Sequence, residues 1–573
     1  MPIIDFALAP QAVPDHVDIL VIGSGPAGMT VAAELIGSPL RVLVVESGGI
    51  EADRDVLSRN DNVGDPRIGS QPLVRVRALG GTSAVWSGRC APLDEIDFER
   101  RDWVPGSGWP ISRHSIQPYL GRAARALGLG PQEYTDALWP LLGATPPARE
   151  LDTARLVPRF WHFSRGHVNP AAPTRFSTDA PAEVTVVVHA TASRLESENG
   201  VVTAVHLNDT TGAHRRITVG RVVLAAGAIE TPRLMLASGL GNDNTGRYLM
   251  DHPGAVIASI PPETAAATRH RFGLYWKRST PFRLAYIHGV CLAPQLQADE
   301  KLLNAAAWLD EYPSRDDPWQ AGIRLYRRLR ARPEAVSAEV VEFWRAAGTP
   351  GAAVTPLPGN VVARLLSKTF PVPSALADLT SIVRHVGQIV VGARRLLRGR
   401  PPLYLVDRID LYSLVEQVPD PESRVTLSDE IDELGTPLPQ VDWRRHEQEF
   451  RTMRRLAEIV SEQFTAVGLP APDSVPWMSD FESWKTHVLD RAHQIGTVRM
   501  GSDGSLGAVD TDCRVYGANN LFVAGSAVFP TSGHANPTLM IVALAIRLAD
   551  HLKSLAPDAA APGDEDEVTQ PEG

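Results

Sequence analysis

Residues 17–46 read V-D-I-L-V-I-G-S-G-P-A-G-M-T-V-A-A-E-L-I-G-S-P-L-R-V-L-V-V-E. The first six are a continuous apolar, β-branched run, the pattern of a strand buried on both faces of a parallel sheet. Gly23-Ser24-Gly25-Pro26-Ala27-Gly28 follows, then M-T-V-A-A-E-L-I at helical spacing, then a second apolar strand over 41–45 that stops at Glu46. The first glycine suits a tight turn, the second lets a pyrophosphate approach the backbone, and the third lets helix pack on strand. The helix N-terminus offers free N–H groups and a positive dipole end to phosphate. Glu46 lies 18 residues past Gly28, where it can accept from a ribose hydroxyl. A lone glycine fingerprint is weak; strand, turn, helix, strand and acid in this order predict a dinucleotide site.

The fingerprint occurs once, so one dinucleotide is expected. The strand at 222–225 runs into A-G-A-I-E-T-P and that at 521–524 runs into G-S-A-V-F-P. Both read as further strands of the same sheet, with ends facing the same cofactor. Strands scattered from 17 to 524 favour a flavin over a nicotinamide, whose dehydrogenases use compact, consecutive βαβ units. Residues 79–92 read L-G-G-T-S-A-V-W-S-G-R-C-A-P. There Gly80 and Gly81 permit close backbone approach to a flat ligand, and Thr82 and Ser83 can donate to it; an ordinary polar loop is the competing reading, and Trp86 reads as core. Strands are expected at 184–188 and 201–207, joined through the N-G turn at 199–200 as a hairpin.

These pieces resemble the glucose–methanol–choline (GMC) oxidoreductase family. The resemblance rests on the glycine fingerprint, G-G-T-S at 80–83, A-A-G-A-I-E-T-P at 225–232, D-H-P at 251–253, V-P-D-P-E-S-R-V-T-L-S at 418–428 and, above all, H-x-x-G-T-x-R-M-G at 493–501 followed by G-x-x-N-P-T at 533–538. The last pair resembles the pyranose oxidase and sugar or polyol dehydrogenase branch. The resemblance implies an α/β fold: a Rossmann-like FAD-binding domain built from several chain segments, 1–255 and 486–555, and a substrate domain on an antiparallel sheet, 256–485, with a helical insert at about 296–405. It implies FAD held by Gly23, Gly25, Gly28, Glu46, Gly81, Thr82, Ser83, Val188, Ala226, Gly525, Ser526, Pro537 and Thr538. Some relatives attach the flavin through a histidine just before the tryptophan of the G-G loop; Val85 stands there and cannot form the bond, so the expected FAD is non-covalent.

The family chemistry is oxidation of an alcohol, here a sugar, glycoside or polyol hydroxyl, with hydride passing to flavin N5 and oxygen or another acceptor reoxidising it. The resemblance implies His493 as general base and Asn536 as its partner. Neutral imidazole suits proton removal near physiological pH, and an amide can both donate and accept beside the substrate oxygen. A competing reading of Asn536 is an N-cap, because Pro537 and an apolar helical run follow. His534, His252 and Gln417 read as structural, as do His189 and His206 on their strands. Two alternatives differ in class: a hydroxynitrile lyase-like enzyme with structural FAD, and a flavin-free binding protein.

Composition fits this reading. The 573 residues are 44% hydrophobic and 21% charged, enough for a large core. No apolar run suggests a membrane span, and the first residues lack a basic stretch followed by a long apolar one; a cytoplasmic protein is expected. Cys90, Cys291 and Cys513 are far apart and form no metal or redox pair, so no metal is expected. Net charge is −10, but six acids fall in an Ala- and Pro-rich tail, 556–573, expected to be disordered; 60 acids and 56 bases remain. Nothing calls for nucleic acid. Two arginine-rich patches stand out: Arg324, Arg327, Arg328, Arg330 and Arg332, then Arg394, Arg395, Arg398 and Arg400. Solvated helix faces are the bland reading; an acidic substrate, a membrane surface or a subunit contact in a homo-oligomer is the sharper one.

Overall fold

The computed structural model describes residues 1–51, 60–65, 74–84, 86–164, 183–279, 282–330, 375–397 and 400–555. Val85, Arg332, Arg398, the acidic tail and much of the expected insert lie outside them, and so do the side chains of Arg327 and Arg330.

One sheet runs in the order Ile3–Asp5, Thr185–Val188, Val42–Val45, His16–Ile22, His214–Leu224, Val201–Asn208, Thr191–Glu198, with Leu521–Val523 also on His214–Leu224. The parallel register sets Ile22 against Val45 and Leu224, and Leu224 against Val523. Four strands therefore end flush. Their carboxyl ends run into Gly23, Glu46, Ala225 and Ala524, the side of an open α/β sheet on which ligands bind. Continuous Val, Ile and Leu runs form these strands because helices cover them. Thr538–Ser554 packs against Pro26–Glu34 and Arg113–Leu127, and its Leu539, Val542, Ile546 and Ala549 are fully buried.

The long strand His214–Leu224 pairs antiparallel with Val201–Asn208 near its start and parallel with Leu521–Val523 near its end. The N-G turn makes a hairpin, with Asn199 and Gly200 both at positive φ. Its first arm is Thr191–Glu198, not residues 184–188, which form a parallel strand in the core. The apolar run was the louder signal; the true arm, T-A-S-R-L-E-S-E, is mostly solvent-facing and buries only Leu195.

A second sheet is antiparallel in the order Asp473–Ser474, Gly254–Ile260, Val406–Val415, Ala305–Pro313, Phe282–Leu292, Leu156–Phe163, Arg89–Cys90, with Leu274–Ser279 on Phe282–Leu292. Arg89–Cys90 and Leu156–Phe163 come from the chain portion expected to hold flavin. Ala305–Pro313, inside the stretch expected to be helical, is a central strand. Its A-A-A-W-L start resembles a helix in composition, but its neighbours on both sides bury it. A third sheet joins Arg424–Ile431, Pro437–Asp442 and Val63–Gly64. The helix Glu447–Ala466 closes the second sheet from outside, with Met453, Leu456 and Val460 inward.

Among the described residues no helix is long and apolar enough to cross a membrane.

Candidate active site

A cavity of about 540 Å³ runs from the glycine turn to His493 and Asn536. Gly23 has φ +105°, and a Cβ there would meet the Ala225 carbonyl at 2.6 Å; one on Gly28 would lie 2.0 Å from the Gly23 oxygen. Gly25 has nothing within 4 Å of such a Cβ, because it faces the cavity. The three glycines thus serve turn, ligand approach and helix packing, and Gly28 is off the wall. Gly81, Thr82 and Ser83 form a short 3₁₀ turn that lines the cavity beside Gly25. Thr82 accepts from the Val76 N–H, and Ser83 donates to the Gly80 carbonyl.

Glu46 also lines the cavity, and its carboxylate is already at work on the backbone. One oxygen accepts from the Ser24 N–H at 3.0 Å and the Ser24 hydroxyl at 2.7 Å, the other from the Gly48 N–H at 3.0 Å. Ala226, Gly525, Ser526, Pro537 and Thr538 line the wall as expected. Val188 does not: its side chain is in the core and its carbonyl accepts from the Phe6 N–H. His189 turns there at φ +57°, and the chain reaches the cavity at Ala190, Thr191 and Ala192.

At the far end, Asp251 clamps the segment that carries His493. Its carboxylate accepts from the backbone N–H of Arg491 and of His493 at 2.9 Å each, from the His252 N–H at 2.6 Å, and from Gln494 at 3.3 Å. Burial pushes its carboxyl up to about 6, against the pull of those donors. Between the clamped residues Ala492 takes φ +59°, a costly conformation for alanine that these contacts hold.

The protons around His493 follow from its partners. His252 is buried, and its Nε2 faces the Ser532 carbonyl at 3.2 Å. A carbonyl only accepts, so Nε2 carries hydrogen. Burial lowers the His252 ring to about 4, so it is neutral and its Nδ1 is bare. The 3.0 Å contact between the two Nδ1 atoms then requires His493 to donate. Burial first, then His252, Arg491 and Arg89, hold His493 well below its usual range, so it too is neutral. Its Nε2 is left as a lone-pair acceptor, 3.3 Å from the Asn536 amide nitrogen.

Asn536 is not a helix cap. The helix begins at Thr538 with Pro537 ahead of it, and Asn536 makes no capping bond. Its Oδ1 is buried without a partner and its residue lines the cavity, so it awaits a donor from a ligand.

The other candidates sit in the frame. His534 is fully buried, 3.0 Å from an Asp94 oxygen and 3.4 Å from Cys291 Sγ. Burial opposes its charge, but Cys291 and Asp94 outweigh that and hold it well above the usual histidine range. Gln417 accepts from the Asp251 N–H and the Trp443 indole. Asp251, His252 and His493 place three potential metal ligands within 4.8 Å of one another. The bonds above already use those atoms, and a metal would have to break them.

Sequence reading missed Arg89, Arg491, Trp308 and Asp310, which line the cavity near His493. Only Asp251 carried a local signal, in D-H-P. The cavity suits FAD: an open glycine turn under a helix N-terminus, a second glycine turn beside it, and an unpaired amide oxygen at the other end.

Models of GMC oxidoreductases match residues 166–254 and 419–545, and a model of an FAD binding domain matches 18–51. The chain belongs to the GMC oxidoreductase family. As a member it is an FAD-dependent oxidoreductase acting on CH–OH groups. It is 21% identical to a 2-methyl-1,2-propanediol dehydrogenase of Mycolicibacterium austroafricanum, over 94% of this chain and 95% of that one. It is 24% identical to a paromamine 6'-oxidase of Streptomyces fradiae, over 93% and 90%. The solved structure of a formate oxidase shares the GMC fold at a TM-score of 0.50 and 16% identity, covering 95% of this chain and 99% of that one.

Proposed function

We propose that this GMC oxidoreductase oxidises a sugar, glycoside or polyol hydroxyl to a carbonyl, with His493 as general base, Asn536 as its partner and non-covalent FAD. The observation that carries this is the hydrogen-bond chain from the Ser532 carbonyl through His252 to His493, which leaves a lone pair on Nε2 at the cavity wall. FAD, held along the glycine turns at Gly25 and Gly81, would supply the hydride acceptor, flavin N5, and the route of the electrons to oxygen or another acceptor.

The chain's own residues supply the rest. Nε2 takes the hydroxyl proton as the C–H bond weakens. The Asn536 amide N–H, which meets Nε2 before substrate enters, donates to the substrate oxygen, where negative charge grows. His252 is a positioning residue: it touches no substrate, and it fixes which nitrogen of His493 is bare. Asp251 sets the position of the segment. Anaerobic addition of sugars, glycosides and polyols to the flavin-loaded protein should bleach the flavin. A flavin that dithionite reduces and no alcohol does would sink the proposal.

A further inference from the structure

The wall next to His493 carries more positive charge than a neutral polyol needs. Trp308 and Tyr412 face each other across paired strands, with ring centroids 5.6 Å apart. The Arg89 guanidinium lies 4.2 Å over the Trp308 ring, and that of Arg491 lies 5.0 Å from the Tyr412 ring. Both line the cavity deep in the molecule. The Arg89 side chain makes no hydrogen bond among the described residues, and its buried Nε has no partner. Neither side chain forms an ion pair among them. Asp310 shares this part of the wall, and its charge acts on both guanidiniums, as those of Asp490 and Asp251 act on Arg491, but its hydrogen bond is to the Trp308 indole, at 3.0 Å.

Arg395 and Arg400 also line the cavity. Arg395 donates to the Pro401 carbonyl and Arg400 lies 4.9 Å from the Tyr275 ring; neither forms an ion pair among the described residues, although Glu311 acts on Arg395 through space. By contrast, Arg324 and Arg328 of the first arginine-rich patch share the buried Asp378. Among the described arginines of the two patches, Arg395 and Arg400 line the cavity and Arg324 and Arg328 do not.

A buried guanidinium without a hydrogen-bonding partner is costly. Planar guanidinium forks match carboxylate and phosphate oxygens and bind them by charge-assisted hydrogen bonds. Building on the alcohol oxidation proposed above, we infer that the alcohol carries an oxyanion, a carboxylate or a phosphate, which Arg89 and Arg491 receive while its hydroxyl meets His493. Arg395 and Arg400 draw such substrates toward the cavity.

The test compares matched alcohols on the FAD-loaded protein by anaerobic flavin reduction: glucose, glucuronate and glucose 6-phosphate, then glycerol, glycerate and glycerol phosphate. An acidic member should exceed its neutral parent in rate over dissociation constant by at least about 30-fold; the acid that wins tells carboxylate from phosphate. In Arg89→Gln, checked for full FAD content, that preference should collapse, and Arg89→Lys, which keeps charge without the fork, should keep part of it. Neutral alcohols that bleach the flavin as well as the acids would overturn the oxyanion assignment and leave alcohol oxidation standing. A preference that survives Arg89→Gln, with a shifted flavin midpoint potential, would overturn it too and assign Arg89 to the cofactor. Failure of every alcohol, charged or neutral, would remove both readings.

Discussion

Asn536 offers its amide nitrogen to Nε2 of His493 at 3.3 Å and keeps its own Oδ1 buried and unpaired. One side chain therefore touches the base and still holds a vacant acceptor on the cavity wall. Asn536→Ala removes both functions but leaves the base, so flavin reduction should slow by about 10- to 100-fold. Stopped-flow reduction under anaerobic conditions measures it.

His493→Ala removes the proton acceptor itself. Reduction should fall by about 10²- to 10⁴-fold, with FAD still bound, since the His493 side chain takes no part in the packing of the glycine turn or in the Glu46 hydrogen bonds. A variant that reduces at the wild-type rate would unseat His493.

His252 acts through a tautomer, and the pair His252→Gln and His252→Leu isolates that. Glutamine can still accept from His493 Nδ1; leucine cannot. We expect reduction to be slower in His252→Leu by about tenfold or more, and largely restored in His252→Gln, at equal FAD content. Equal losses in both variants would mean that His252 only fills space.

Both rings are held neutral, which gives stability a pH dependence of fixed sign. Unfolded, each histidine takes up a proton near 6.5. Folded, His252 resists until about 4, and His493 resists well below its usual range. The unfolded chain binds more protons as pH falls, so this stability is complete above pH 6.5 and drains between 6.5 and 4. For His252 alone the loss is about 3 kcal/mol. Asp251, held up to about 6, depends on pH in the opposite sense in both proteins, so the comparison isolates the histidine: as pH falls across that window, denaturant midpoints of the wild type should drop more steeply than those of His252→Leu. The reduction rate should show no break at 6.5, because His493 is already unprotonated there.

Gly28→Val places a side chain where a Cβ alone would lie 2.0 Å from the Gly23 oxygen. The turn must move, at a cost of about 1–3 kcal/mol, and FAD binding should be lost. Visible flavin absorbance after purification checks this.

The parallel sheet was legible because strands covered on both faces must be apolar throughout, and the glycine turn because each glycine there answers a steric need. The hairpin arm Thr191–Glu198 was not, since a mostly solvent-facing strand carries few apolar residues. Ala305–Pro313 was hidden by alanines that suit either helix or strand. At Asn536 the local pattern favoured a cap, and only the partner 43 residues earlier in the chain decides otherwise. Arg89 and Arg491 carried no signal, because what makes them unusual is the aromatic pair of two distant strands. Val188, a cofactor contact implied by the resemblance, instead faces the core, and the bend at His189 that brings Ala190 to the cavity has no sequence mark.

The strand His214–Leu224 holds the chain's first hundred residues and its last hundred at once, since His16–Ile22 and Leu521–Val523 both pair with it. During synthesis the glycine turn emerges early, but the strand Leu521–Val523, which pairs with the other edge of His214–Leu224, and the helix Thr538–Ser554 that backs the turn follow about 500 residues later. The nascent chain thus cannot close its cradle around a cofactor before they emerge. Loading needs that strand and that helix, and fragments ending short of Leu521 should emerge colourless.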